Sequence, residues 1–326
     1  MVIFVDQLIR FAAEVSDPRV TAIAERVAAP LRVAVSGRRG VGRRTVAHAL
    51  RCAGTAVTVQ LAADVVAYVV AEVVKPEDTA AVAALAASPQ PVLVVLNKVD
   101  LTGGATAAGV SARIGAPAEP MAGLLAVAAL DNGLDDTLWA ALQLLAAEPA
   151  DLSCADRFVT GPHPLTHRVR RQLCDTLDLP GITNAVAAVR QGRSIGEVRA
   201  LLRRLSGVDA VVGCVDAVGV AVHYRRLLDA VAQLEALAVS DSRIGEFLSG
   251  DDAVVARMAA AVDVVEAAGL TVESGGDPAA QLRRARRWQC YRDGPVAAVH
   301  RACAADIARG SLRLWMQAGK PVPESV

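Results

Sequence analysis

The stretch "LRVAVSGRRGVGRRTVAHALRCA", residues 31–53, decides the reading of the fold. "LRVAVS" is β-branched and apolar on both faces, the pattern of a strand buried in a parallel sheet. "RRTVAHALRCA" has helical periodicity. Between them lies a glycine-rich turn in which Gly37 and Gly42 are five residues apart and Gly40 adds backbone freedom. A strand that feeds a helix through such a turn points backbone N–H groups at an anion, and the helix N-terminus adds partial positive charge. The phosphate-binding template G-x-x-x-x-G-K-[ST] then needs a lysine and a hydroxyl. Here Arg43 and Arg44 stand in those places, with Thr45 one residue late.

Outward from this loop, the chain alternates strand-like and helix-like segments. Residues 3–29 read as one amphipathic helix or two, broken near "SDPR", with Asp17 as the cap of the second piece. "TAVTVQL" (55–61), "VVAYVV" (65–70), "PVLVVL" (91–96) and "LLAVAAL" (124–130) read as further strands. "KPEDTAAVAALAAS" opens a helix at Pro76, a Gly/Ala-rich stretch over 102–120 holds a short helix, and "LDDTLWAALQLLAA" closes the unit. The pattern predicts an α/β domain with a reduced, mostly parallel sheet over 31–148. An N-terminal helical segment (1–30) precedes it. After Glu148 strand-like runs almost vanish, so 149–326 is expected to be an all-helical domain.

Composition narrows the function classes. Aromatic residues make up only 3% of the 326, which argues against base-stacking platforms for single-stranded nucleic acid. A formal net charge of zero supplies no field to gather polyanions, and "RRARRW" (283–288) reads as a solvated helix face. The six cysteines are far apart, and none is read as forming a CxxC or Cys/His pair with metal spacing. His163, His167, His223 and His300 have no motif partners. No metal ligands are therefore expected, and the thiols are expected to be reduced in a cytoplasmic protein. The N-terminus carries Asp6 and Glu14 and lacks the pattern of a secretory leader. The longest apolar run, "AADVVAYVVAEVV", is too short and too charged to span a bilayer.

A second motif, "NKVD" (Asn97–Asp100), follows the strand "PVLVVL" directly. Ligands of open α/β sheets bind at the carboxyl ends of strands. A carboxylate at Asp100 can accept the ring N–H and exocyclic amino protons of guanine, a pattern that adenine does not offer. Asn97 would tie the loops together, and the aliphatic stem of Lys98 can lie on a base.

With both motifs in view, the chain resembles a P-loop GTPase over about residues 31–146. "LRVAVSGRRGVGRRT" is similar to that family's phosphate loop, and "PVLVVLNKVDL" to its guanine-specificity strand and loop. "LLAVAALDNGLDD" resembles its last signature, with Ala128 in the serine position and Ala129 supplying a backbone N–H to the base. More loosely, the layout is similar to that of bacterial dynamin-like GTPases, and "LCDTLDLPGITNAVAAVRQG" resembles the helical segment of actinobacterial members. The resemblance implies phosphate binding by Gly37, Gly40, Gly42, Arg43, Arg44 and Thr45, and guanine binding by Asn97, Lys98, Asp100 and Ala129. GDP or GTP is the implied cofactor.

The departures from that family bear on mechanism. Arg43 replaces the lysine that bridges the β- and γ-phosphates, and this swap is not conservative. Arg44 replaces the hydroxyl that holds Mg²⁺; a guanidinium has donors only and repels a cation. Eighteen residues separate Thr45 from Asp64, and neither a catalytic threonine loop nor Asp-x-x-Gly is visible among them. The expectation is a pseudo-GTPase with no catalytic residues and no Mg²⁺. It would act as a regulatory or structural partner of an intact GTPase sibling or of a second copy of itself. It would bind no nucleic acid, and would contact a membrane only through a partner. Two alternatives stand beside it: an active GTPase with a compact, atypical switch, and a helical scaffold carrying a ligand-free α/β domain.

Overall fold

The computed structural model describes residues 2–59, 63–88, 90–101 and 106–318. The chain divides into two compact units, residues 31–218 and residues 1–30 with 219–326.

The first unit is built on five strands: β1 (Arg32–Gly37), β2 (Ala56–Thr58), β3 (Val65–Ala71), β4 (Val92–Asn97) and β5 (Ala118–Met121). All neighbours run parallel, in the order β2-β1-β3-β4-β5. Alternate residues of the buried strands face opposite layers. Val33, Val65, Ala67, Val69, Leu93 and Val95 pack against α3 (Arg43–Cys52), α6 (Gly123–Leu130) and the first turns of α11 (Val208–Ala238). Val66, Tyr68, Val70, Val94 and Leu96 pack against α4 (Pro76–Ala86) and α5 (Ala107–Ile114). Both faces are covered, so every core strand must be apolar throughout, which is why these strands read as unbroken Val/Leu runs. The order reverses at β1, between β2 and β3, and the crevice beyond the strand ends there is where a doubly wound sheet binds its ligand.

The expected strand at 124–130 is instead helix α6, and β5 is the preceding "AEPM". A seven-residue apolar run fits a buried helix as well as a buried strand, and Leu and Ala, which dominate here, favour the helix. The expected strand at 55–61 is described only at 56–58, since residues 60–62 lie outside the described set.

Four further helices belong to this unit: α7 (Asp136–Ala147), α8 (Ala155–Thr160), α9 (His167–Arg190) and α10 (Ile195–Ser206). Their apolar faces (Leu138, Leu142, Phe158, Leu173, Leu177, Leu202) close over Leu125 and Ala128 of α6. The sequence predicts a boundary at 148/149; the compact units divide at Val218/Gly219, inside α11, and α7–α10 share a core with α6.

The second unit is helical. α1 (Val2–Val15) and α2 (Pro18–Ala28) are separated at Ser16 and Asp17, where the Asp17 carboxylate accepts the Arg19 N–H at 2.7 Å as the N-cap. Phe4, Leu8, Val20 and Ile23 share one core with Tyr224, Leu227 and Leu234 of α11. The same core takes Ala260 and Val264 of α13 (Asp251–Ala267) and Ile307 of α15 (Ala298–Ala318). α12 (Ser242–Ser249) and α14 (Pro278–Arg292) complete the unit.

Among the described residues no single helix is long and apolar enough to cross a membrane. Only α10 and α11 taken together reach that composition, with a 50° bend between them, and their apolar residues Leu202, Val208, Val211 and Val215 are buried in the α/β unit.

Candidate functional site

The crevice at the strand ends is organised by one side chain. Asn97, the last residue of β4, is buried, and its amide works in two directions. Its Nδ2 donates to the Val41 carbonyl of the glycine loop at 2.9 Å. Its Oδ1 accepts the Gly123 N–H, at the first turn of α6, also at 2.9 Å. One amide thus joins β4, the loop after β1 and the helix after β5. The glycines are what let it fit. A Cβ on Gly42 would overlap the Asn97 amide, and Gly42 has φ 90°, a left-handed conformation that L side chains avoid. A Cβ on Gly37, with φ 137°, would strike the Val69 carbonyl of β3.

Gly42, Thr45, Asn97, Lys98, Asp100, Leu101, Gly123, Leu124 and Asp178 line a pocket of about 150 Å³. Lys98 has φ 63°, which turns the chain so that the Leu101 N–H reaches the Lys98 carbonyl at 3.0 Å. Asp178 interrupts α9 with φ 54° and ψ 173°, a region nearly exclusive to glycine, and its Oδ1 accepts the Leu179 N–H that opens the second half of the helix. Two strained non-glycine residues therefore border one small pocket. Burial pushes the Asp100 carboxyl above the ordinary carboxylate range. A backbone hydrogen bond opposes the rise, the Asp178 charge adds to it, and Lys98 opposes it. Such a raised carboxyl contributes stability fully below the ordinary aspartate pKa and loses it as pH rises, so at neutral pH ionised Asp100 weakens the fold. Two residues of strained backbone and a carboxyl whose charged form is disfavoured thus meet at this pocket.

The residues expected from the sequence separate into groups. Gly42, Thr45, Asn97, Lys98 and Asp100 meet at the pocket. Gly37 serves the turn out of β1, and Gly40 is exposed at φ 86°. Arg43 and Arg44 open α3 and are exposed, and their side chains form no hydrogen bond or ion pair among the described residues. Ala129 lies inside α6, where its N–H belongs to the helix ladder; the backbone beside the pocket is that of Gly123 and Leu124.

Arg38 has a different role from its loop neighbours. Its Nε donates to the wholly buried Asp78 at 2.7 Å. Asp78 also accepts the Tyr68 hydroxyl at 3.1 Å and the Lys75 N–H at 2.9 Å. This guanidinium is committed to fastening the loop to β3 and α4.

No protein-family model, curated protein or solved structure matches the chain. Asp178, which carries no motif signal in the sequence, faces the pocket from a helix 78 positions beyond Asp100. Pro180, two residues on, is a local sign of a helix break, but it does not encode which pocket the break borders.

Proposed function

We propose that the chain is a pseudo-GTPase. In this reading it has a P-loop-like α/β domain that binds guanine nucleotide weakly and without Mg²⁺. It does not hydrolyse GTP at a useful rate, and it acts as a regulatory or structural protein partner. The observation that carries the reading is the Asn97 bridge, which holds the glycine loop and the "NKVD" turn in one rigid frame with Asp100 at the pocket. Preorganised loops of this kind suit a base held by one carboxylate and a phosphate held by backbone N–H groups. The loss of turnover rests on chemistry and on space. Arg44 offers no metal ligand. After α3 ends at Cys52, only the short strand β2 and its connections precede β3, so the interval has little length for a mobile switch.

Calorimetry with GDP and ADP tests the base assignment. GDP is expected to bind more tightly, and Asp100→Asn to remove the preference, at a cost of about 1.5–3 kcal/mol for a charged contact. Without ligand the same variant is expected to melt higher than the parent at pH 7, because it removes a carboxylate that the fold disfavours. Equal affinity of the parent for both nucleotides would end the guanine reading.

The metal assignment has its own test. GDP affinity is expected to be unchanged by EDTA in the parent, whereas Arg44→Ser is expected to become Mg²⁺-dependent. Collapse of parental binding on chelation would mean that another group supplies a metal site.

The size of the pocket favours a second reading. About 150 Å³ is below the roughly 300–1,000 Å³ usual for small-molecule sites, and Asp178 sits beside Asp100 within it. A helical scaffold with a ligand-free α/β domain is consistent with that. Titration of the purified protein with GDP at high concentration separates the two, since saturable binding is expected only under the first.

A further inference from the structure

At the C-terminal end of α3, away from the glycine loop, three chemically distinct side chains converge. His48 and Cys52 are one helical turn apart and so project from the same face. Asp131 arrives from the C-terminal cap of α6, where its N–H is fixed by the Val127 carbonyl at 2.9 Å. The His48 Nε2 lies 2.6 Å from Asp131 Oδ2 and 3.8 Å from Cys52 Sγ, and the three candidate ligand atoms all lie within 4.8 Å of one another. Both helices are anchored by buried residues, Val46, Ala49 and Leu50 on α3 and Ala126 on α6, so rigid elements hold the three groups together.

We infer that His48, Cys52 and Asp131 form a zinc-binding site. A tetrahedral Zn²⁺ with Zn–N and Zn–O near 2.0–2.2 Å and Zn–S near 2.3 Å separates its ligands by about 3.4–3.6 Å. The His–Asp distance would open by somewhat less than about 1 Å and the Cys–His distance would close slightly, movements within the reach of side-chain torsions on a fixed backbone. The donor set selects the metal. A thiolate disfavours Mg²⁺ and Ca²⁺, and a mixed nitrogen, sulfur and oxygen set suits Zn²⁺. The side chains of His48 and Asp131 are 41% and 52% exposed, which leaves a path for the ion and a fourth position for water. Binding releases the Cys52 proton, so affinity rises with pH. Contrary to the expectation from the sequence, His48-x-x-x-Cys52 is a Cys/His pair with metal spacing, and its third ligand lies 79 residues further on in the sequence. This inference does not depend on nucleotide binding.

The test uses the full-length chain, stripped with a chelator and titrated with ZnCl₂ against a competing indicator, and separately with CoCl₂. The expected result is one equivalent of Zn²⁺, with thiolate-to-cobalt charge-transfer absorption in the Co²⁺ form. Cys52→Ser abolishes that absorption. Cys52→Ser, His48→Gln and Asp131→Asn each weaken Zn²⁺ binding about tenfold or more. Cys214→Ser, a part-buried thiol elsewhere, leaves both readouts unchanged. Zinc affinity unaltered by Cys52→Ser and His48→Gln overturns the site, as does an unaltered charge-transfer band in Cys52→Ser. A parent chain that binds no zinc, or binds cobalt without thiolate absorption, overturns it whether or not the variants fold.

Discussion

Asp306→Ala is expected to destabilise the helical unit by about 3–5 kcal/mol, the cost of breaking a buried ion pair on one side only. Asp306 is 3% exposed on α15. It accepts the Arg257 Nη2 of α13 at 2.7 Å and the Tyr224 hydroxyl of α11 at 2.9 Å. Alanine would leave a guanidinium buried without its counter-charge, with a Nε that already has no partner among the described residues. It would also strand the hydroxyl of a fully buried tyrosine. Burial pushes the Tyr224 hydroxyl strongly upward, and the Asp306 charge adds to this. Because the neutral phenol is the favoured form, its contribution to stability is complete below the ordinary tyrosine pKa of about 10 and is lost as pH rises beyond it. Urea denaturation followed by circular dichroism measures the loss. A triple variant, Tyr224→Phe with Arg257→Met and Asp306→Leu, is expected to recover most of it, since apolar replacement of a whole buried polar group is often neutral or better. A loss below about 1 kcal/mol for Asp306→Ala would mean that water or relaxation satisfies Arg257, and the network would not be structural.

The second large effect is expected at Asp78, where alanine should cost the α/β unit about 3 kcal/mol. The carboxylate is fully buried at the start of α4 and has three donors, from Arg38, Tyr68 and Lys75. Without it the Tyr68 hydroxyl has no acceptor in a core strand, and an unsatisfied buried group costs about 1–3 kcal/mol by itself. Burial alone would raise the Asp78 carboxyl, but Arg38, the Lys75 N–H and the Tyr68 hydroxyl together hold it below its ordinary value. Burial and the Asp78 interaction push Tyr68 up to about 12. A depressed carboxylate contributes stability above its unfolded pKa of about 3.9 and loses it as pH falls through the lower folded value. The difference between parent and Asp78→Ala should therefore shrink in strong acid, and thermal melts at pH 7 and below pH 3 check this. Melting points that differ by the same amount at both pH values would show that Asp78 acts by packing and not by charge. The variant also releases Arg38 from its partner, so any anion affinity of the glycine loop should increase as stability falls.

The two networks perform similar tasks by different routes. Asp306 joins three helices through groups far apart in sequence. Asp78 fastens, through Arg38, a loop that Asn97 and the buried Val41 also hold. Each is a polar cluster in a core made chiefly of Val, Leu and Ala, and in such a core the buried hydrogen bonds specify which helix faces meet.

What the sequence by itself determined was local. The apolar runs of β1, β3 and β4, the break between α1 and α2 with its Asp17 cap, the strand–loop–helix junction at Gly37–Gly42 and the turn after β4 follow from short-range sterics and periodicity. Those forces act within a few residues, so the letters carry them. Tertiary structure decided what local pattern leaves open. Whether "LLAVAAL" became helix or strand depended on its neighbours, because β5 was already supplied by "AEPM", a short edge strand containing Glu119 and Pro120 that carries little strand signal of its own. The division of the chain at Val218 depended on which apolar faces found each other, since α7–α10 bury theirs against α6. Asp178 came to Asp100, and Asp131 to His48 and Cys52, through chain separations of 79 residues or about that many. Contacts at that range are fixed by the packing of whole elements, and no periodicity along the sequence encodes them.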